Sequence, residues 1–474
     1  MRASELLDES LTQNGNPGLS VRAALASVGW HIAGPLPADA VAADFADRYA
    51  GVPATGRTRD EPAVRYDVPE SAVPVLLGLY GSAERVRDWL PGLPARPSPR
   101  SVLALLDAAR PPVTVVDPPC QEVVTDAVDL GALPILRATP RDAGAYVTLG
   151  VVHAVDPVTG ERALSVHRMV VLGPDRLTIW MVPGRALGRL YANAVARGDR
   201  LPVSVNLGAP PAAVVASALS TAVLPAGTSK LAVAGALAGA PVRLAAAVTQ
   251  PVPVLADSEL VLEGHLDGTV ADEAAAGPSM PEFLGYDGGV RHGLPVLTVT
   301  AVTSRRAPWY QAVIGPGREQ SVILGLAGDL SAALTSADDV VADVHHAAAG
   351  GGMLLLIIAV AKSSAADDAR LTGIARRVFE RHKFVKLVVF TDIDVDIRST
   401  EDLLWAITTR ANLGADCTTL AGFPPVPVDP SHSPEWTAAH GVDGSTGRTV
   451  IDATAPFAMR DTVVRSFPTA GVRR

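Results

Sequence analysis

Cysteine is nearly missing from this chain: Cys120 and Cys417 are the only two in 474 residues. Two thiols exclude a disulfide framework and a cysteine zinc site, and they fit a reducing, cytoplasmic setting. Lysine is almost as scarce. Lys230, Lys362, Lys383 and Lys386 are the whole complement, and arginine supplies the rest of the basic charge. Each lysine therefore invites inspection. Aromatic residues make up only 4%, which weighs against recognition by stacked rings. An excess of positive charge is lacking too. The formal charge is −9, so no global field exists to hold nucleic acid or an anionic membrane, and an anion site has to be a local pocket. The most apolar stretch, Met353–Ala361, is too short to span a bilayer and reads as a buried strand. The opening MRASELLDES carries acids where a secretion signal needs a basic and then an apolar run.

With 48% hydrophobic and 19% charged residues, the chain suits two or three well-packed domains. Three rhythms follow one another. Residues 1–115 read as an α/β segment, with helical apolar spacing at Leu19–Val28 and Ala38–Tyr49 and an amphipathic helix at Ser82–Leu90. A proline-punctuated connector, Pro91 to Pro99, and a Pro-bounded strand at Pro111–Pro118 come next. Residues 116–320 change to short β runs, such as Tyr146–Val155, Ala163–Leu172, Arg176–Val182, Val242–Thr249 and Val296–Val302. Short helices at Arg185–Arg197 and Ala212–Ser220 separate them, a pattern that predicts a barrel or sandwich. Residues 321–474 return to alternation, with strands at Met353–Lys362 and Lys386–Ile397 and helices at Asp367–Arg381 and Thr400–Arg410.

General catalytic patterns fail: there is no GxxxxGK[ST], HExxH or GxSxG. Asp392, Asp394 and Asp396 mimic the start of a calcium loop, but Ile397 and Leu403 stand where its glycine and glutamate belong. They read as carboxylates alternating along a strand end. His345–His346 precedes a run of alanine and glycine without a following acid or cysteine, so a loop is expected there.

Residues 156–168, DPVTGERALSVHR, carry the most informative pattern. The stretch resembles the cofactor core of the UbiD-type decarboxylases, which use prenylated FMN and whose run is usually DPxTGxxNxSxxR. Further pieces resemble the family in order: VPVLLGLYGS (73–82), LPILRATPRDAGAYVTLGVVHAVDPVTG (133–160), LPAGTSKLAVAGALAGAPV (224–242), GPSMPEFLGY (277–286), FVKLVVFTDIDVDI…DLLWAITTR (384–410) and DPS…TVIDAT (429–454). Each is weak alone; together they cover roughly residues 60–458. The resemblance implies an α+β / α/β multidomain chain. A central split β-barrel of the flavin-reductase type would bind prenylated FMN, an N-terminal α/β domain would flank it, and a C-terminal α/β domain would form a homodimer.

By the same resemblance, Thr148, Ser165, Val166, His167, Arg168, Thr221 and Ala222 fall on cofactor-contact positions, with Arg168 on the catalytic arginine. A guanidinium there can hold a substrate carboxylate and stay cationic while charge moves. Glu282 falls on the acid/base glutamate, if one extra residue is accepted in GPSMPE. The glutamate expected before Gly277 is Ala276, and Glu273 is the nearby candidate to replace it at Arg168. The metal site departs further: its asparagine is Ala163, its histidine Ala186 and its glutamate Lys230. Two alanines and an ammonium cannot bind a divalent ion. The expectation is a metal-independent phosphate site on Lys230, with Lys386 as a second phosphate contact.

These implications converge on reversible, non-oxidative decarboxylation of an α,β-unsaturated or aromatic carboxylic acid, with a flavin prenyltransferase supplying the cofactor. Low aromatic content leans toward an aliphatic substrate, and the departures suggest a natural-product tailoring enzyme. Trp180, Phe283, Leu284, Tyr286 and the Pro424–Pro427 loop are the expected pocket walls. Two alternatives stay open: a catalytically silent UbiD-like subunit, and a plain FMN-binding oxidoreductase.

Overall fold

A computed structural model of the chain describes residues 15–49, 61–182, 184–275, 277–282, 284–315, 317–427, 429–441 and 446–466. Phe283 and Ala276, and the N-terminal MRASELLDES, lie outside the described residues. Two compact units emerge where the sequence suggests three segments. One comprises the described residues up to Leu93, Ala108–Ala218 and Thr228–Ile323; the other comprises Pro94–Asp107, Leu219–Gly227 and the described residues from Leu324.

The first unit is built on a closed six-stranded barrel. Its strands are β1 (Tyr146–Val155), β2 (Arg162–Val171), β3 (Arg176–Ile179), β4 (Leu201–Leu207), β5 (Leu260–Ala271) and β6 (Leu294–Ser304). Antiparallel pairing runs β5–β4–β1–β2–β3–β6, and β6 pairs back onto β5. Closure leaves these six strands without a free edge. Val152, Met169, Leu177, Val205, Leu262 and Leu297 meet in one buried core, each contributing roughly 1.5–3 kcal/mol by leaving water. The β5–β6 ladder shifts register between Glu263 and Gly264. A Cβ at Gly264 would lie 2.2 Å from the Thr298 carbonyl oxygen, so only glycine fits there.

Two helices bear on the site. Helix α1 (Ala186–Arg197) adds Leu187, Leu190 and Ala194 to the barrel core and ends at Gly198 in the left-handed region, φ 74°. Helix α2 (Lys230–Ala238) is apolar from Leu231 to Ala238 and buried throughout those eight residues. The N-terminal α/β segment belongs to the same unit. Strands Trp30–Ala33, Ala63–Tyr66, Val75–Leu77 and Tyr310–Gln311 form its sheet, and the predicted helices appear as Val21–Ala26, Ala38–Arg48 and Ala83–Trp89.

The boundary with the second unit falls within helix α3 (Arg318–Ser336). That unit is a five-stranded sheet of β7 (Val341–His346), β8 (Leu355–Val360), β9 (Leu387–Asp392), β10 (Cys417–Leu420) and β11 (Arg448–Ala453) in the order β7–β8–β9–β11–β10. The central strands β8, β9 and β11 run parallel, and both edges are antiparallel. The run LLIIAV of β8 is uninterrupted by polar residues because a parallel strand is covered on both faces. Helices α4 (Leu371–Arg381) and α5 (Thr400–Arg410) match the expected pair.

Two expectations need correction here. His345–His346 is the end of β7 and not a loop, and an acid partner exists upstream. Asp329 on α3 accepts the His346 backbone N–H at 2.6 Å and faces both imidazoles, at 3.1 and 3.6 Å. The aspartate run does not alternate along a strand: β9 stops at Asp392, where Arg410 bonds both Asp392 (2.9 Å) and Asp394 (2.7 Å). Among the described residues no helix is long and apolar enough to cross a membrane.

Candidate functional site

Strand β2 positions most of the candidate residues. Ser165 and His167, two apart, share one face of the strand. The His167 Nδ1 lies 2.9 Å from the Trp180 carbonyl and its Nε2 lies 2.8 Å from the Ser165 hydroxyl. Since a carbonyl only accepts, Nδ1 carries the proton, and the serine hydroxyl donates to Nε2. Burial pushes His167 down to about 4, so the ring is a neutral positioned acceptor near pH 7. Val166 pairs across the ladder with Val151, and the Thr148 hydroxyl accepts the Val313 N–H at 3.1 Å.

Arg168 is buried and held from two sides. Its Nη2 lies 3.2 Å from Glu273 Oε1, and its Nη1 lies 3.0 Å from Glu282 Oε1. Its Nε is buried with no acceptor among the described residues. Glu273, three residues upstream of Ala276 in the sequence, thus supplies one of the two carboxylates on Arg168. Local backbone explains how. The Glu273 N–H donates to the Arg291 carbonyl at 3.0 Å, and the Arg291 N–H returns to Glu273 Oε2 at 2.9 Å. These bonds fasten the neck of a hairpin in which Pro278–Ser279 pairs with Gly288–Gly289. Glu282 sits in its turn, with its N–H on the Tyr286 carbonyl and its own carbonyl accepting from Gly285. A Cβ at Gly288 would fall 2.6 Å from the Met280 carbonyl and 3.2 Å from Glu282 Oε1, so glycine leaves room for the carboxylate.

Lys230 opens helix α2. Its Nζ donates to the main-chain carbonyls of Ser217 (2.7 Å) and Leu164 (2.9 Å), the latter directly after Ala163. Ala163 is buried in the barrel core, and Ala186 packs against that same core. Ala163 thus directly precedes one of the two main-chain carbonyls that cradle the Lys230 ammonium. Burial and the nearby Arg185 guanidinium pull Lys230 down to about 7. Among the described residues, two of the three donors of the protonated amine are bonded. Among the described residues no group of three His, Cys, Asp or Glu side chains is arranged to hold a metal ion.

Three further candidates belong to the second unit. Thr221 and Ala222 are exposed in a turn of the segment Leu219–Gly227, within the second unit. Lys386, also in that unit, is salt-bridged to Asp429 at 2.8 Å. Of the expected walls, Trp180 lies beside Arg168, whose guanidinium carbon is 5.4 Å from the ring centre, while Tyr286 is 59% exposed. Three residues escaped the sequence reading. Arg185, next to Ala186, could have been found from its position. Nothing in the sequence signals Arg291, or Tyr146, whose buried phenol feels both Glu273 and Arg168.

Comparison with known proteins identifies the family. Residues 113–319 match the 3-octaprenyl-4-hydroxybenzoate carboxy-lyase (UbiD) Rift-related domain, and residues 322–453 match the C-terminal domain of the same carboxy-lyase. A gallate decarboxylase from Lactiplantibacillus plantarum is 33% identical over 370 residues, 75% of each chain. Among solved structures, a 3,4-dihydroxybenzoic acid decarboxylase from Enterobacter cloacae superposes with a TM-score of 0.85 at 31% identity, over 95% of this chain and 97% of the other. The UbiD-class enzyme HmfF from Pelotomaculum thermopropionicum, solved with FMN, gives 0.79 at 28% identity over 93% and 95%. An evolved dimeric form of it, solved with prenylated FMN, gives 0.78 at 27% over 95% and 97%. This chain belongs to the UbiD family of carboxy-lyases.

Proposed function

We propose that this protein decarboxylates an aromatic or α,β-unsaturated carboxylic acid without net oxidation, using prenylated FMN held at the barrel without a divalent metal. The observation that carries the reading is the Glu273–Arg168–Glu282 cluster, in which a buried guanidinium bonded by two carboxylates keeps its Nε free of any acceptor among the described residues. The named relatives, which act on gallate and 3,4-dihydroxybenzoate, favour an aromatic acid here over the aliphatic one that low aromatic content suggested.

The residues present suit a flavin phosphate. In its protonated form Lys230, beside the Arg185 guanidinium, offers positive charge where the family pattern has a metal. Bound there, the prenylated flavin would supply an electron sink for the charge left as CO₂ departs. Arg168 binds and orients the substrate carboxylate through donors that Glu273 and Glu282 hold in place. Glu282 delivers a proton to the carbon from which CO₂ has left. Glu273, with 5% of its surface exposed, keeps Arg168 aligned. Because Glu273 restores a two-carboxylate arrangement, it weighs against the silent-subunit alternative. A homodimer, a flavin prenyltransferase as cofactor source and a role in natural-product tailoring complete the proposal.

The test is CO₂ release from a panel of hydroxybenzoic, cinnamic and alkenoic acids by protein co-produced with a flavin prenyltransferase. Arg168→Lys should abolish turnover, since a point-charge ammonium cannot replace the fork. Unchanged turnover in that variant, or no release from any acid by the wild type, overturns the reading.

A further inference from the structure

Arg291 carries a charge that the chemistry above leaves unused. Its backbone is fixed to Glu273 in both directions, at 2.9 and 3.0 Å. Its side chain is placed differently. The guanidinium carbon lies 5.3 Å from the centre of the Trp180 ring, the same ring that lies 5.4 Å from the Arg168 guanidinium. Among the described residues no carboxylate or carbonyl accepts from the Arg291 side chain, and its Nε is buried without a partner. Two guanidinium groups thus flank one indole, each with a buried Nε that has no acceptor among the described residues. Arg168 is bonded by two carboxylates; among the described residues Arg291 has the ring as its side-chain contact.

A cation–π contact returns about 0.5–2 kcal/mol, which does not repay the burial of a guanidinium N–H with no acceptor beside a second positive charge. An oxygen ligand would. The position is specific, because the Arg291 main chain is bonded to Glu273, and Glu273 in turn bonds Arg168.

We propose that Arg291 is a substrate-selecting residue that receives a second oxygen group of the substrate, a ring hydroxyl or a second carboxylate, while Arg168 holds the carboxylate that is lost. The inference rests on the decarboxylase reading of the Arg168 site. A guanidinium donates only, so the group it takes must accept: a phenolic oxygen or a carboxylate oxygen serves, and a bare ring or alkyl chain does not. Trp180 lies against both cations and forms the floor between the two contacts. Acids with one carboxylate and no second oxygen group would leave the Arg291 donors unpaired, and that penalty is the source of discrimination.

Binding of benzoate, 3,4-dihydroxybenzoate and benzene-1,3-dicarboxylate to the cofactor-loaded protein, measured by calorimetry, tests the inference. In the wild type one or both acids with a second oxygen group bind about tenfold or more tighter than benzoate, and which of the two does so tells hydroxyl from carboxylate. Arg291→Met removes that preference without weakening benzoate, whereas Arg291→Lys restores part of it. Arg168→Met weakens all three ligands. If Arg291→Met keeps the preference, or weakens benzoate equally, the inference is wrong while the Arg168 site stands. If the wild type binds none of the three, the decarboxylase reading fails and this inference falls with it.

Discussion

Lys230→Met separates the two consequences of burying an ammonium at the start of α2 as the proposed phosphate contact. Burial and Arg185 lower Lys230 from 10.5 to about 7, a gap worth roughly 5 kcal/mol between its protonation states. Below pH 7 the folded and unfolded chains are both protonated, and the folded state bears the whole penalty. Between pH 7 and 10.5 only the unfolded chain keeps the proton, so stability rises with pH across that window. Methionine removes the penalty but strips the donor from the Ser217 and Leu164 carbonyls, at ~1–3 kcal/mol each. Near pH 7 the cofactor-free variant should therefore lie between about 1 kcal/mol below and about 3 kcal/mol above the wild type, and its rise between pH 7 and 10.5 should be gone. FMN binding loses a charge-assisted bond to phosphate, about 10–100-fold in affinity. Denaturant melts at pH 7 and 9.5 read the first effect, and FMN fluorescence titration in chelator reads the second. Unchanged FMN affinity in the variant, or a flat stability profile in the wild type, refutes the reasoning.

Glu282→Gln should cut turnover about 10²–10⁴-fold while leaving thermal stability near wild type, because it removes the proton donor and keeps the shape. Glu273→Gln should lower turnover as well and weaken carboxylate binding, which an inhibitor titration with benzoate would show. Glu319 is buried against the Gly78 and Tyr80 N–H groups, and burial pushes it up from 4.5 to about 8. Its folded form keeps a proton that the unfolded chain has lost, so stability should fall as pH rises from 4.5 to 8, and melts of Glu319→Gln across that range should show a flatter slope. Asp329→Ala leaves the imidazole and the backbone N–H of His346 without their buried acceptor and should cost about 3–5 kcal/mol in a urea melt.

Residues with a clear local period were legible in the sequence. Tyr146–Val155 and Thr400–Arg410 appear with the expected bounds because a valine-rich apolar run in one and a Ser399 cap with buried Leu403 and Ala406 in the other act within a few residues. Long-range compensation was not legible. Strand β5 hides because Glu263 and His265 sit buried in it, the former paired with the Val248 and Thr249 N–H groups. Helix α3 hides because Gly325 and Gly328 break its apolar stripe where the chain passes close to His346. At the site, Arg168 and Glu282 were readable from motif positions. The partnership of Glu273 depends on the hairpin neck, and the isolation of Arg291 depends on Trp180 arriving from the end of another strand. Neither pattern is written in neighbouring residues.

The most direct test of the central claim is the cofactor itself. Protein co-produced with a flavin prenyltransferase and purified in chelator should release prenylated FMN by intact mass, about one per chain, and should evolve CO₂ from its acid with no divalent metal added. Plain FMN, an empty protein, or activity that returns only with a divalent metal would contradict a metal-free site built on Lys230.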